Sequence, residues 1–217
     1  MLSHWIAQGE NDRQDFKFKV MDAAKLAKSV SAFANTRGGR LLIGVRDDGH
    51  ISGVTSEEEI FMMRMAAEKY CQPAVEPLFQ NINVSGKTVV VCEIPQASEK
   101  PVCAIDDIII DHQTAQIKAK GRPTAYIRIN DENIVASPVF IQLWKDQTKE
   151  EGTFVHFSQD EKAVIEVIST EGDTLNGIVR KAAISRKKVI RIIANLIRFN
   201  LVSWNYTDKQ FLFYVKP

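Results

Sequence analysis

The stretch Ser31-Ala32-Phe33-Ala34-Asn35-Thr36-Arg37-Gly38-Gly39-Arg40-Leu41-Leu42-Ile43-Gly44-Val45 changes its pattern halfway along. From Asp22 to Asn35, Leu26, Val30, Phe33 and Ala34 recur at helical spacing, with Lys25, Lys28 and Ser29 on the opposite side. An amphipathic helix is predicted there. Gly38 and Gly39 fall where the chain must leave that helix, and glycine adopts the left-handed closing conformation at little cost. Arg40 to Arg46 then reads as a buried strand. The run Asn35 to Gly39 also invites a phosphate-loop reading, with Arg37 gripping an oxygen. A helix end presents carbonyls rather than amides, which favours the cap.

Just upstream lies Gly9-Glu10-Asn11-Asp12-Arg13-Gln14-Asp15-Phe16-Lys17. It sets two carboxylates and a lysine ahead of the helix, and a third carboxylate, Asp47, follows the strand. Glu10 and Asp15 are five residues apart and would not share the face of a regular helix. They can converge only through an irregular segment or at the start of a strand. Lys17 and Lys19 flank Phe18 and alternate as on a strand, which offers phosphate contact, support of the carboxylates, or an exposed strand face.

Working outward, Asp47-Asp48-Gly49-His50 supplies turn chemistry into a short return strand, Ile51 to Val54. A helix from Ser56 to Tyr70 follows, with Ser56 as cap and Glu57, Glu58 and Glu59 in its first turn. A hairpin joins Leu78–Val84 to Thr88–Ile94 through Ser85-Gly86-Lys87. The Ser85-Gly86-Lys87-Thr88 run mimics the end of a phosphate-binding loop, but position 81 holds Asn81 where the leading glycine belongs. Val102 to Lys120 is extended without a firm assignment, and Tyr126 to Ile129 alternates as a strand. Arg128 there could face the same groove as Lys17 or pair with Asp131 or Glu132. This order predicts an α+β domain over residues 1–144, a mixed, mostly antiparallel sheet with packed helices.

Residues 145–154 are polar and charged and read as a linker. Residues 155–217 have a different layout. Ser158-Gln159-Asp160-Glu161 is a capping box, Asp173 or Thr174 caps a second helix, and Ser185 caps a third over Arg186–Phe199. A hairpin, Leu201–Tyr206 and Gln210–Lys216, closes the chain. Three helices and a hairpin predict a winged helix-turn-helix, with Arg186, Lys187, Lys188 and Arg191 facing nucleic acid from the third helix. Trp204, Tyr206 and Lys209 would form the wing.

The pattern Glu10, four residues, Asp15-Phe16-Lys17, then Ala32-Phe33-Ala34-Asn35-Thr36, any residue, Gly38-Gly39 resembles the Schlafen/AlbA-like nucleic-acid-binding domain family of bacterial regulators. The likeness spans roughly residues 8–140. Asp15 stands where the family pattern has Glu. In relatives that cut RNA, the matching carboxylates bind divalent metal, so the resemblance implies Glu10, Asp15 and Asp47 as catalytic residues holding Mg²⁺ or Mn²⁺. Each also has a plain structural role open to it: a solvated Glu10, an Asp15 ion pair with Lys17 or Arg40, and Asp47 as the start of a turn. Tyr126-Ile127-Arg128 matches the family's later Tyr, any residue, Arg strand.

The 217 residues carry a formal net charge of +1, divided unevenly. Residues 155–217 hold ten Lys/Arg against six Asp/Glu, a net +4; residues 1–154 hold eighteen against twenty-one, a net −3. The basic end is the one expected to meet phosphate. No apolar run has membrane-spanning length and no signal peptide is visible. Cys71, Cys92 and Cys103 are scattered, as are the four histidines, which fits a reduced cytoplasmic setting and gives zinc no support.

The expectation is a nucleic-acid-binding protein, a DNA-binding transcriptional regulator that prefers DNA over RNA, acts as a homodimer and needs no cofactor. Its proposed contacts are Lys17, Lys19, Arg37, Arg128, Arg186, Lys187, Lys188, Arg191 and Lys209. A metal-dependent nuclease is the alternative, and an ATP-binding sensor a weaker one.

Overall fold

The computed structural model describes residues 1–110, 117–120, 122–146 and 157–216. These form two compact units, Met1–Ala136 and Ser137–Pro217. In the first, α1 (Leu2–Ala7) precedes β1 (Gln14–Lys17), α2 (Ala23–Asn35), β2 (Gly39–Ile43) and α3 (Ser56–Lys69). Then come β3 (Cys71–Gln72), β4 (Leu78–Val84), β5 (Lys87–Ile94), β6 (Cys103–Ala104), β7 (Asp107–Ile110), β8 (Ile117–Lys120), β9 (Thr124–Ile129) and β10 (Glu132–Val135). One sheet has the order β1-β2-β5-β4 and a second β10-β9-β6-β3. Only β1 and β2 run parallel in the first sheet, so the expected mixed, mostly antiparallel α+β fold is what forms.

Alternation along β1 and β2 divides their side chains between two cores. Leu41 and Ile43 pack with Val30, Phe33 and Ala34 of α2 and Met63 of α3. Phe16 and Leu42 face the other way, toward Leu2, Trp5 and Ile6 of α1. Helix α1 was not foreseen, because six residues carry too little periodicity to register.

Helix α2 begins at its Asp22 cap, which accepts from Lys25 N–H at 3.1 Å. It ends as the double glycine demands. Gly38 has φ +68°, and its N–H donates to Phe33 O at 2.9 Å. A Cβ on Gly39 would meet the Phe33 ring at 2.3 Å, so the pair serves packing. The carbonyls of Asn35 and Thr36 accept from Lys100 Nζ at 2.8 and 3.3 Å. The helix end is closed by a cation and is no anion cradle.

Asn35 itself is buried and pins α2 to the second sheet. Its amide donates to Val102 O at 2.8 Å and Tyr126 O at 2.9 Å, while its Oδ1 accepts from Val102 N–H at 2.8 Å. Glu59 of α3 is 1% exposed and accepts from Val20 N–H at 2.8 Å. Its carboxyl therefore ties two segments instead of facing solvent, and burial raises its pKa. Thr55, not Ser56, is the residue before this helix.

The second unit contains α4 (Pro138–Asp146), α5 (Gln159–Val167), β11 (Asp173–Thr174), α6 (Leu175–Ala182), α7 (Arg186–Arg198), β12 (Val202–Thr207) and β13 (Gln210–Val215). The strands pair as β11-β13-β12. Val139 of α4 shares a core with Val164, Ile178, Val189, Ile193, Leu196 and Phe213. The division thus lies at 136/137, ahead of the position 144 that polarity suggests, because α4 has an apolar face that only this core covers. Residues 147–156, which hold most of the expected linker, lie outside the described residues. The Ser158–Glu161 capping box forms, and Thr174, not Asp173, caps α6. Ser185 precedes α7 without a side-chain cap bond. Among the described residues, no helix is long and apolar enough to cross a membrane.

Replacing Asn35 by Ala strands Val102 N–H in the interior. Asn35→Ala should lower unfolding stability by about 3 kcal/mol, measured by urea denaturation. A loss below about 0.5 kcal/mol would show that water replaces the amide.

Candidate nucleic-acid interface and carboxylate pair

A tight turn brings Glu10 back onto β1. Asn11 N–H donates to Gln14 O at 2.9 Å, and Glu10 Oε1 then accepts from Phe16 N–H at 2.8 Å. This irregular segment makes Glu10 and Asp15 neighbours across five residues. Asp15 and Lys17 lie on one face of β1, and their charges meet at 2.7 Å. Arg128 Nη2 approaches the other Asp15 oxygen at 3.4 Å.

Two carboxyl groups this close do not ionise together. Burial, reinforced by Asp15, pushes the Glu10 carboxyl up to about 7, against the opposing Phe16 N–H and Lys17. Burial works against ionisation of Asp15 too. There, hydrogen bonding from Glu10 and the charges of Lys17 and Arg128 outweigh it and hold Asp15 below its ordinary value. Glu10 keeps the shared proton in mildly acidic solution and Asp15 carries the negative charge.

Asp47 does not join them. It is exposed in the turn closed by Gly49 N–H on Arg46 O at 2.8 Å, beyond the end of β2. Among the described residues, no three His, Cys, Asp or Glu side chains gather where they could hold a metal ion. Asp15 already faces two cations, and Glu10 shares its proton. A divalent ion needs several ionised oxygens turned toward one point, so this donor set does not fit the Mg²⁺ or Mn²⁺ that the resemblance implied.

Arg128 is 3% exposed. Its guanidinium donates to Asn11 O, Asn133 Oδ1 and Gln14 O at 3.2, 3.0 and 3.3 Å, and lies 5.0 Å from the Phe33 ring centroid. The expectation that it meets nucleic acid is corrected: it is an internal brace. Lys17 is half-buried and committed to Asp15. Lys19 and Arg37 are exposed, the latter 3.8 Å from Asp12. Ser85 and Gly86 form the two-residue hairpin turn, both with positive φ, and no helix follows to cradle phosphate. Burial pushes the Cys71 and Cys92 thiols up to about 12, which leaves them unreactive.

In the second unit Arg186, Lys187, Lys188 and Arg191 are all exposed over the first two turns of α7. Lys188 pairs with Asp160 at 2.8 Å, and Arg186 donates to Asn176. Lys209 is exposed at the hairpin tip, where Asp208 and Lys209 both have positive φ. Trp204, expected on the wing, packs instead edge-on to Phe140 of α4, with centroids 4.8 Å apart, and Tyr206 lies 4.8 Å from Phe211. Sequence reading missed Arg13 and Arg40, which with Arg37 rim a cleft of about 250 Å³. The signal was there in an arginine on either side of the glycine pair.

The Glu10 pKa is raised in the fold above its ordinary 4.5. Its stabilising contribution is therefore complete below about pH 4.5 and is lost as the pH rises through about 7. Asp15, being lowered, acts oppositely, and its contribution is lost as acid protonates it below 3.8. Gln at position 10 keeps the acceptor for Phe16 and a donor for Asp15 but cannot ionise. Glu10→Gln should thus be about 1 kcal/mol more stable than wild type at pH 8.5, after solvent screening, and about equal at pH 5. Thermal unfolding at the two pH values checks this; parallel pH profiles would assign the proton elsewhere.

No curated protein matches the chain. Among solved structures, the DIP2311 protein of Corynebacterium diphtheriae aligns over 93% of this chain and 34% of its own, at 18% identity and a TM-score of 0.45. This chain thus spans about a third of that protein. The N-terminal domain of a RecG-related protein from Nitrosomonas europaea aligns over 72% of this chain and 95% of its own, at 25% identity and a TM-score of 0.36. The family model described as Schlafen, AlbA_2 matches residues 10–137, which include Glu10, Asp15, the glycine pair and Arg128. On that match, over more than half its length, the chain belongs to the Schlafen, AlbA_2 family.

Proposed function

We propose that the protein binds nucleic acid, and that it is a DNA-binding transcriptional regulator whose second unit acts as a winged helix-turn-helix. The observation that carries this reading is the exposed basic start of α7, Arg186, Lys187, Lys188 and Arg191. Cations at a helix N-terminus oppose the helix dipole, a cost that a phosphate ligand would offset. The hairpin β12–β13, tipped by Lys209, supplies a second contact on the same reading. Membership of a family often associated with nucleic acid supports the coarser half of it. A helix of this kind reads one half-site, so the active form in this proposal is a homodimer.

Cleavage is not part of the proposal. Among the described residues, Asp15 is neutralised by Lys17 and Arg128 and Asp47 stands apart, which supports a binder over a metal-dependent nuclease.

Fluorescence anisotropy with labelled duplex DNA, in EDTA and across a salt series, tests the reading. Affinity should fall steeply with salt. Arg186→Glu/Lys188→Glu should weaken binding at least ~10-fold at low salt and reduce the salt slope by about 2. Wild-type affinity in this variant would reject the assignment of α7, and tighter binding of single-stranded RNA would reverse the preference for DNA.

A further inference from the structure

A second polar site lies in the first unit, on the face of β1 opposite Asp15. Gln14 and Arg40 are register partners on β1 and β2, on the face that α1 covers. Gln14 is 2% exposed, and its Nε2 donates to Trp5 O at 2.6 Å and Gly9 O at 2.8 Å. Those two acceptors fix which end of the amide is nitrogen. Its Oε1 is buried without a hydrogen-bond partner among the described residues, and so is Arg40 Nη1. The two register partners beneath α1 therefore hold one unused acceptor and one unused donor.

Unmet buried groups of this kind are destabilising, so a fold that keeps both needs a reason. The space above them supplies one. A cleft of about 450 Å³ is lined by Gln14, Arg40, Arg13, Asn11, Asp12 and Gln8. It shares Arg13 and Arg40 with the 250 Å³ cleft that Arg37 and the glycine pair rim. The Arg40 guanidinium carbon lies 4.2 Å from the Trp5 ring centroid, a contact that holds the side chain against α1. Burial and the neighbouring Arg13 charge both act against the Arg40 charge, and only Glu93 across the sheet supports it. Three arginines face two carboxylates, Asp12 and Glu93, leaving an unmatched positive charge.

We propose that Arg13, Arg37, Arg40 and Gln14 form a nucleotide-binding site, with phosphate on the arginines and a sugar hydroxyl or base amino group donating to Gln14 Oε1. Inorganic phosphate satisfies the arginines but brings neither sugar nor base to fill the rest of the cleft beside Gln14. The combined clefts have the size of sites that enclose small ligands. The same unit reaches this site either as a free nucleotide or as a residue within single-stranded RNA. This site is independent of α7.

The test uses the full chain carrying Arg186→Glu/Lys188→Glu, which removes the proposed duplex contact. It is titrated with AMP, with a short labelled oligoriboadenylate and with inorganic phosphate. Saturable binding of AMP, at least ~10-fold tighter than phosphate, identifies a free-nucleotide site; binding of the oligonucleotide alone identifies a strand contact. Either must be weakened at least ~10-fold by adding Arg13→Gln/Arg37→Gln. Both arginines are exposed, and their loss leaves the core intact. Arg40→Gln should abolish binding, with its folding checked by circular dichroism. Absence of binding by both nucleotide probes overturns the site, as does binding that the Arg13/Arg37 variant leaves unchanged. Neither result bears on α7, whose own test is duplex binding by the otherwise unaltered chain.

Discussion

The Arg128 guanidinium is the constraint on which the first unit depends. It is sealed from solvent and reaches the backbone of the Asn11–Gln14 turn, the Asn133 amide, Asp15 and the Phe33 ring. A buried guanidinium is tolerable only if its donors are met and a negative charge lies near. The requirement runs in both directions. Asp15 must stay ionised, β9 must register with β10, and the chain before β1 must turn where it does. Thr36 adds to this frame by accepting from Arg128 N–H at 2.9 Å while donating to Ala32 O at 2.7 Å. The Ala-Phe-Ala-Asn-Thr run is thus suited to what the end of α2 must hold: Phe33 under the guanidinium, Asn35 on Val102 and on Tyr126 of β9, and Thr36 on the Arg128 backbone.

That frame gives the carboxylate pair its character. Asp15 sits between Lys17 and Arg128, so its charge is balanced from within the protein, and Glu10 takes the proton. The pair is a polar clasp between the turn and the strand, closed at low pH and loosened as Glu10 ionises. A carboxylate offset in this way has little charge left for a cation, and Asp47, held beyond the end of β2, cannot make up the difference. The residues that mark the family are present in sequence, and Asp15 is here committed to Lys17 and Arg128.

The second unit is organised by aromatic packing. Phe140 from α4 meets Trp204 and Phe211 of the hairpin at centroid distances of 4.8 and 5.2 Å, so the helix that precedes the charged segment belongs to this core. Such edge-to-face contacts add to the area they bury. Packing of this kind turns Trp204 toward Phe140 and Phe211 and away from the outer face of the hairpin.

Local chemistry determined the elements with strong signals. The periodicity of α2, the apolar run of β2, the turn residues of the β4–β5 and β12–β13 hairpins and the Ser158 capping box each follow from interactions among near neighbours. The convergence of Glu10 with Asp15 also follows from a short irregular segment that the spacing already required. Tertiary structure alone decided what long-range packing controls. Arg128 looks like any exposed strand arginine until it meets groups more than a hundred residues away, at Asn11, Gln14 and Asp15. Polarity places α4 with the first domain, whereas its apolar face places it with the second. Gln14 and Arg40 share a cleft because β1 and β2 run parallel in one register. Sequence fixes which side chains can be charged, apolar or bent; burial and pairing across distant segments decide which of those charges remain for a ligand.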